Sequence, residues 1–211
     1  MGARVRDEIV QDLKNQIARG VFVPGQRLVE SSLCERYQTG RTTVREVLRR
    51  LEQDGFVRIV QNAGATVTDV SQGDIEHIYD LMGVVEGLSV RTATPFITEM
   101  QTNQIENVLA RMESTTDPFE FFWHNFEFHS ILMSLSENSR LIKFMGNLRA
   151  QAQRMSLRSF FNPGQIAASI SEHRRILEAV RARNAVKAES LVRHHYLLSK
   201  NRLIKYLNRS L

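Results

Sequence analysis

Between Arg41 and Thr68 the apolar spacing changes period, and that change constrains the fold more than any other feature of the chain. Val44, Val47, Leu48 and Leu51 recur at three- and four-residue intervals, the spacing of one helix face. Gly55 stops the pattern. Phe56-Val57-Arg58-Ile59-Val60 is then β-branched and aromatic, Asn62-Ala63-Gly64 offers a turn, and Ala65-Thr66-Val67-Thr68 returns as a second strand. Upstream, Val5, Ile9, Leu13 and Ile17 stand four apart, which predicts a helix from Val5 to Arg19 ended by Gly20. Val23-Pro24-Gly25-Gln26 reads as a tight turn, followed by a short helix from Glu30 to Tyr37 and a longer one from Arg41 to Gln53. Three helices and a hairpin, in that order, make a winged helix-turn-helix.

Beyond Val70 no strand-like stretch follows. Ser71 and Asp74 have the spacing of a capping box and open a helix to Thr94. Further helices are predicted over 98–115, 118–136, 139–161, 165–183 and 185–208. All four prolines, Pro24, Pro95, Pro118 and Pro163, fall where a helical pattern stops, as a residue without a backbone donor should. The expected architecture is mainly α: a winged helix-turn-helix domain over 1–70, then an all-α six-helix bundle over 71–211.

Composition excludes other classes. With 42% apolar residues among 211, the chain can bury a core and is not a disordered one. Its longest stretch free of Asp, Glu, Lys and Arg, Ser159 to Ser171, falls short of a membrane span and contains Pro163. Arg4, Arg6, Asp7, Glu8, Asp12 and Lys14 leave no apolar stretch for a signal peptide. The single cysteine, Cys34, forms no intrachain disulfide, and the chain reads as cytoplasmic, with no membrane partner. The net charge of +5 is spread along the sequence: residues 1–70 hold 11 Lys and Arg against 9 Asp and Glu. A nucleic-acid site must therefore be a local cluster, and Arg41, Arg45, Arg49 and Arg50, opposed only by Glu46, supply one.

In a helix-turn-helix the second helix enters the major groove, with its N-terminal side chains at base edges. Arg41, Thr42 and Arg45 occupy the first turns of that helix, opposite Val44 and Leu48. Arginine donates twice to guanine O6 and N7, and threonine hydroxyls suit phosphates or bases. A solvated basic face is the plainer reading, but it leaves the helix order and hairpin unexplained.

The residues Arg19-Gly20-x3-Pro24-Gly25-x2-Leu28-x-Glu30, then Arg41-Thr42-Thr43-Val44-Arg45-Glu46-Val47-Leu48-Arg49-Arg50-Leu51-Glu52-x-Asp54-Gly55-Phe56-Val57, closely resemble the N-terminal domain of GntR-family bacterial transcription regulators. The resemblance covers most of 5–69 and implies double-stranded operator DNA as partner. The DNA-binding residues are then Arg41, Thr42, Thr43, Arg45 and Arg49, with Gly64 at the wing tip beside the minor groove. The sequence departs from the family at Gly40, where Ser or Thr is usual, and at Ser31 and Ala63, where many relatives carry a basic residue.

Polar residues on apolar stripes point to a second site. Phe122, Phe126, His129 and Met133 run down one face of 118–136, with Asn125 one turn before the histidine. Ile166, Ile170, His173, Leu177 and Val180 form a stripe in 165–183, and Ala188, Leu191, His195, Leu198 and Arg202 another in 185–208. His194 falls on a more polar face. Each buried imidazole nitrogen left unpaired costs about 1–3 kcal/mol. Three separate core histidines bonded to carbonyls or water would meet that cost, and so would convergence on a divalent cation such as Zn, Ni or Mn. The spacings Asn125-x3-His129 and His173-x21-His195 are similar to the metal-binding pattern of the FCD effector domain, in the six-helix, VanR-like form found in FadR-type regulators. That resemblance implies metal ligands at Asn125, His129, His173 and His195, with Asn125 standing where aspartate is usual.

Many FCD domains carry an arginine four residues before the position of Glu86; here it is Met82. If that arginine holds a carboxylate effector, Arg149, Arg154 and Arg158 are the replacement candidates. The six aromatics between Phe119 and Phe128 read as core. Catalysis has little support. The sequence contains no His-Glu-x-x-His helix, no Glu-x-x-His pair, no Gly-x-Ser-x-Gly elbow and no phosphate-binding loop. A metal-dependent enzyme or a non-catalytic ligand-binding helical protein leaves the arginine helix idle. The expectation is a regulator, acting on a palindromic operator as a homodimer and modulated by a small carboxylate effector.

Overall fold

The computed structural model describes residues 2–18, 21–60, 64–68, 71–160 and 164–208; the side chains of 2–4, 18, 150 and 153–159 are not described. Arg19, Gly20, Asn62, Ala63 and Pro163 therefore lie outside the described residues, as do the side chains of Arg154 and Arg158. The chain divides into two compact units, essentially 1–71 and 72–211, each with its own core.

The first unit runs α1 (Gly2–Ala18), β1 (Arg27–Leu28), α2 (Glu30–Arg36), α3 (Arg41–Gln53), β2 (Val57–Val60) and β3 (Gly64–Val67). The three strands form an antiparallel sheet in the order β1-β3-β2, with Val60 opposite Gly64 and Leu28 opposite Ala65. Two-residue β1 had no sequence signal: a pair of residues cannot show a period. The apolar faces of α1 and α3 meet over the sheet, burying Leu13, Leu33, Val44, Leu48, Leu51 and Phe56. Gly64 is held at φ +86, and a Cβ there would meet the Leu28 carbonyl oxygen at 2.5 Å. Only glycine fits that crossing of β1 and β3 without strain.

The second unit is helical among the described residues: α4 (Gln72–Ala93), a 3₁₀ turn (Thr94–Phe96), α5 (Glu99–Ser114), α6 (Pro118–Ser134), α7 (Ser139–Ser159), α8 (Gln165–Arg181) and α9 (Ala185–Leu207). Local chemistry sets the starts. Thr98 and Gln101 form a reciprocal capping box on α5. Asp117 accepts from the Phe119 and Glu120 amides, with Pro118 in the first turn of α6. Asn184 caps α9 through the Lys187 amide. Helix α4 packs along α9, which also meets α8; α5 and α6 form a second pair. Ile105, Met112, Phe121, Phe128, Leu132 and Val192 fill the interior. No helix among the described residues is long and apolar enough to cross a membrane.

All three histidine-bearing stripes differ from their sequence reading; in α9 Val192, Tyr196 and Leu203 are buried beside Ala188 and His195, while Leu191 and Leu198 are half-buried. In α6 Phe122, His129 and Met133 are buried, but Phe126 is 40% exposed. In α8 the buried side runs Gln165, Ser169, His173, Leu177 and Val180, leaving Ile166 and Ile170 half-buried. That line follows the i, i+4 ridge, the row that packs into a neighbour's groove when helices cross.

Candidate functional site

Helix α3 buries Val44, Val47, Leu48 and Leu51 and turns Arg41, Thr42, Arg45 and Arg49 to solvent, with Thr43 half-buried. Arg41, Arg45 and Arg49 follow one another at four-residue steps, so their guanidinium groups share a face. They line an open groove of ≈ 550 Å³ whose far wall is the wing, at Ile59, Val60 and Gly64. Among the described residues Arg41 and Arg49 have no acidic partner, whereas Arg45 donates from Nε to both Glu30 oxygens at 3.1 Å. Their neighbours are neutralised: Glu46 pairs with Arg6, and Asp54 accepts from Lys14 at 2.9 Å and Arg50 at 3.3 Å. The outward charge of α3 is thus positive, with Arg41 at its start and Arg49 two turns on left without an acidic partner among the described residues. Ser31 also lines the groove, which makes its wall less basic than an arginine or lysine would.

The histidines converge in the second unit. His129 from α6, His173 from α8 and His195 from α9 are all buried, and one ligand nitrogen from each lies within 4.8 Å of the others. His194, by contrast, is exposed. The Nδ1–H of His129 donates to Glu86 Oε1 at 2.6 Å, and that of His195 to Glu172 Oε2 at 2.7 Å. Each carboxylate fixes the tautomer, leaving Nε2 as the free donor atom. Nε2 of His195 and Nε2 of His173 stand 3.3 Å apart, and His173 Nδ1 has no partner. A tetrahedral cation with bonds of about 2.0–2.1 Å spaces its ligands about 3.3 Å apart. Three imidazoles, two held by carboxylates at the rear, are the donor set of a nitrogen-rich divalent site. The buried cluster can hold a metal.

Electrostatics support the assignment of donors. Burial drives His129 below the ordinary imidazole range, and Glu86 only partly opposes it, so the ring stays neutral. His173 is driven well below by burial and by the neighbouring histidines and Arg202. Glu86 is fully buried, which pushes its pKa up, yet His129, Arg149 and the Tyr196 hydroxyl together hold it below the carboxylate norm. For Glu172 burial is likewise outweighed, by the bonds from His195 and Arg202, and the group sits at about 2.

The predicted site residues fare differently in position. Asn125 lies one turn before His129 on α6 and is half-exposed. Arg149 is turned inward: it donates to Glu86 Oε2 at 3.0 Å and Ser130 Oγ at 2.9 Å, and stacks over Phe126 at 5.4 Å. Arg154 lies in α7, its side chain undescribed. Sequence reasoning missed Glu86, Glu172, Tyr196 and Arg202 as supports of the histidines. For Glu86 there was a signal, since it interrupts the apolar row Ile75, Tyr79, Met82, Val90 of α4. For Glu172 there was none, because its neighbour His173 points the helix face elsewhere.

Comparison with known proteins gives the affiliation. Residues 5–67 match the model of bacterial regulatory proteins of the gntR family, and 74–198 match the FCD domain. The HTH-type transcriptional regulator YdhC of Bacillus subtilis is 26% identical over 90% of this chain and 86% of its own length. The HTH-type transcriptional repressor RspR of Escherichia coli is 24% identical over 90% of this chain and 85% of its own. The solved structure of E. coli McbR/YncC superposes with a TM-score of 0.80 and 20% identity, covering 96% of this chain and 98% of that one, which supports the fold. YdhC and RspR are regulators of transcription rather than enzymes. The winged head, the helical bundle with its histidine cluster and both domain matches together place the chain in the GntR family, as a helix-turn-helix transcriptional regulator of the FadR-like subfamily with an FCD effector domain.

Proposed function

We propose that the protein is a cytoplasmic repressor that binds a palindromic operator as a homodimer and is modulated by a small carboxylate metabolite bound at a metal in the helical domain. The observation that carries the reading is the row Arg41, Arg45, Arg49, open to solvent on a groove walled by the wing. In it Arg41 and Arg45 read guanine edges, Thr42, Thr43 and Arg49 hold phosphates or bases, and the Gly64 turn lies against the minor groove. One short helix reads few base pairs, and two copies on related half-sites multiply the discrimination.

In the bundle His129, His173 and His195 would hold the cation, Zn, Ni or Mn, with the Asn125 carbonyl as oxygen donor. The cation supplies a Lewis-acidic point for an effector carboxylate oxygen. The charges around it favour an anion: an imidazole ligand brings no negative charge, and Glu86 and Glu172 are each matched by an arginine. Arg149 contributes as Glu86's counter-ion, and Arg154 is a further candidate cation for the effector. An effector that binds two arrangements of the reading heads unequally shifts the population between them.

Titration of a labelled operator duplex at several salt concentrations tests the first half. The association constant should fall steeply with salt, as phosphate neutralisation requires. Arg41→Ala and Arg45→Ala should each cost about 1–3 kcal/mol against the operator at fixed salt. Wild-type affinity in both variants would remove α3 from the interface.

A further inference from the structure

The two carboxylates behind the histidines are braced differently. Glu86 is held by single bonds from Arg149 and from the Tyr196 hydroxyl at 2.8 Å. Glu172 is gripped at both oxygens by one fork: Arg202 donates from Nη1 to Oε1 at 2.6 Å and from Nη2 to Oε2 at 2.9 Å. The same Oε2 accepts the His195 Nδ1–H. Arg202 lies seven residues after His195 on α9, two turns along the same face, while Glu172 directly precedes His173 on α8. Helix α8 therefore supplies one imidazole itself and orients the imidazole of α9, and α9 in turn fixes the plane of the orienting carboxylate. His173 has no such support; its Nδ1 is unpartnered.

We propose that Arg202, acting through Glu172, is a positioning residue of the histidine centre, fixing His195 so that Nε2 alone is offered to a divalent cation. The proposal rests on the metal reading above. A single carboxylate on Nδ1 selects the tautomer but is free to swing about its own side-chain torsions. A bidentate arginine fork removes that freedom, because its planar geometry matches both oxygens at once. The pair of Nε2 atoms at 3.3 Å tolerates little movement before the spacing of a shared cation is lost. Arg202 touches no ligand nitrogen, so its effect on metal binding would be wholly indirect. The alternative is a clasp that only ties α8 to α9 and leaves metal affinity alone.

Zinc chloride titrated in competition with a chromophoric chelator separates the two. Glu172→Gln and Arg202→Ala should each weaken zinc binding about 10–100-fold, the range for outer supports of a ligand histidine. Arg202→Lys should recover only part of the loss, since an ammonium keeps the charge without the fork. His195→Ala serves as the control that removes a ligand. In the zinc-free wild type, long-range ¹H–¹⁵N correlation should find His195 protonated on Nδ1; in Glu172→Gln the ring should become a tautomer mixture. Unchanged zinc affinity in Glu172→Gln and Arg202→Ala, with binding lost in His195→Ala, would overturn the positioning role and leave the metal reading intact. A wild-type protein that takes up none of zinc, nickel or manganese would overturn both. Should the variants fail to fold, a wild-type His195 protonated on Nε2 would by itself sink the proposal.

Discussion

Gly64 shows how one residue carries two meanings. Family resemblance makes it the wing tip beside DNA; the structure adds that its backbone crosses β1 where a Cβ would meet the Leu28 carbonyl oxygen at 2.5 Å, at φ +86. A Gly64→Ala change should therefore destabilise the first unit by about 1–3 kcal/mol, the cost of holding a side chain in that conformation. Urea unfolding followed in the absence of DNA checks this, and an unchanged midpoint would mean that β1 gives way freely. The histidines make the complementary point. His129, His173 and His195 were legible because each is polar on an apolar stripe, and burial in a bundle forces such residues inward together. Their supports were less so. Glu172 sits on the half-buried flank of α8 and owes its role to Arg202, thirty positions away, a pairing no local spacing reveals. Arg149, expected from the sequence as a cation for effector, instead meets Glu86, because Met82 leaves that buried carboxylate without a charge from its own helix.

At the scale of elements, the sequence-based helices and hairpin strands agree with the structure to within a residue or two, apart from the first helix, which starts at Gly2 rather than Val5, since caps and prolines mark most ends with strong local chemistry. What escaped lacked a period or a local signal: two-residue β1, the 3₁₀ turn at Pro95, and the winding of the buried face of α8 toward Gln165 and Ser169. The capping box at Thr98 was missed as well, though it is readable in Thr98-x-x-Gln101. Thr98 accepts from the Gln101 amide at 3.3 Å, and Gln101 Oε1 accepts from the Thr98 amide at 2.9 Å. Replacing Thr98 by alanine removes the first bond and loosens the second, so the second unit should lose about 1 kcal/mol. Chemical denaturation followed by a bundle-specific probe, Trp123 fluorescence, measures it directly: Trp123 is the single tryptophan of the chain and lies in α6. An unaltered Trp123 transition would show that α5 starts without its cap.

At the scale of the whole molecule, the two units have separate cores, and the two ligands expected of the protein meet different ones. The first core gathers Leu13, Leu51 and Phe56 under α3, and the second buries the histidines, with Phe128 against His129 and His173, along with Ile176 and Val192. A ligand stabilises only what must be folded to bind it, by about 2.7 kcal/mol at a hundredfold excess over its dissociation constant. Zinc should therefore raise the thermal transition of the helical unit and leave that of the DNA-binding unit in place, while operator DNA should do the reverse. Calorimetry of the full chain with each ligand alone, then with both, reads this as two transitions moving independently or together. Independent shifts that sum when both ligands are present would mean that the metal supports the bundle without informing the reading heads. A further shift with both present would measure the coupling free energy, which must be equal whichever ligand is added first. A transition of the histidine-bearing unit that ignores zinc, nickel and manganese alike would leave the three imidazoles as core residues and place any signal elsewhere.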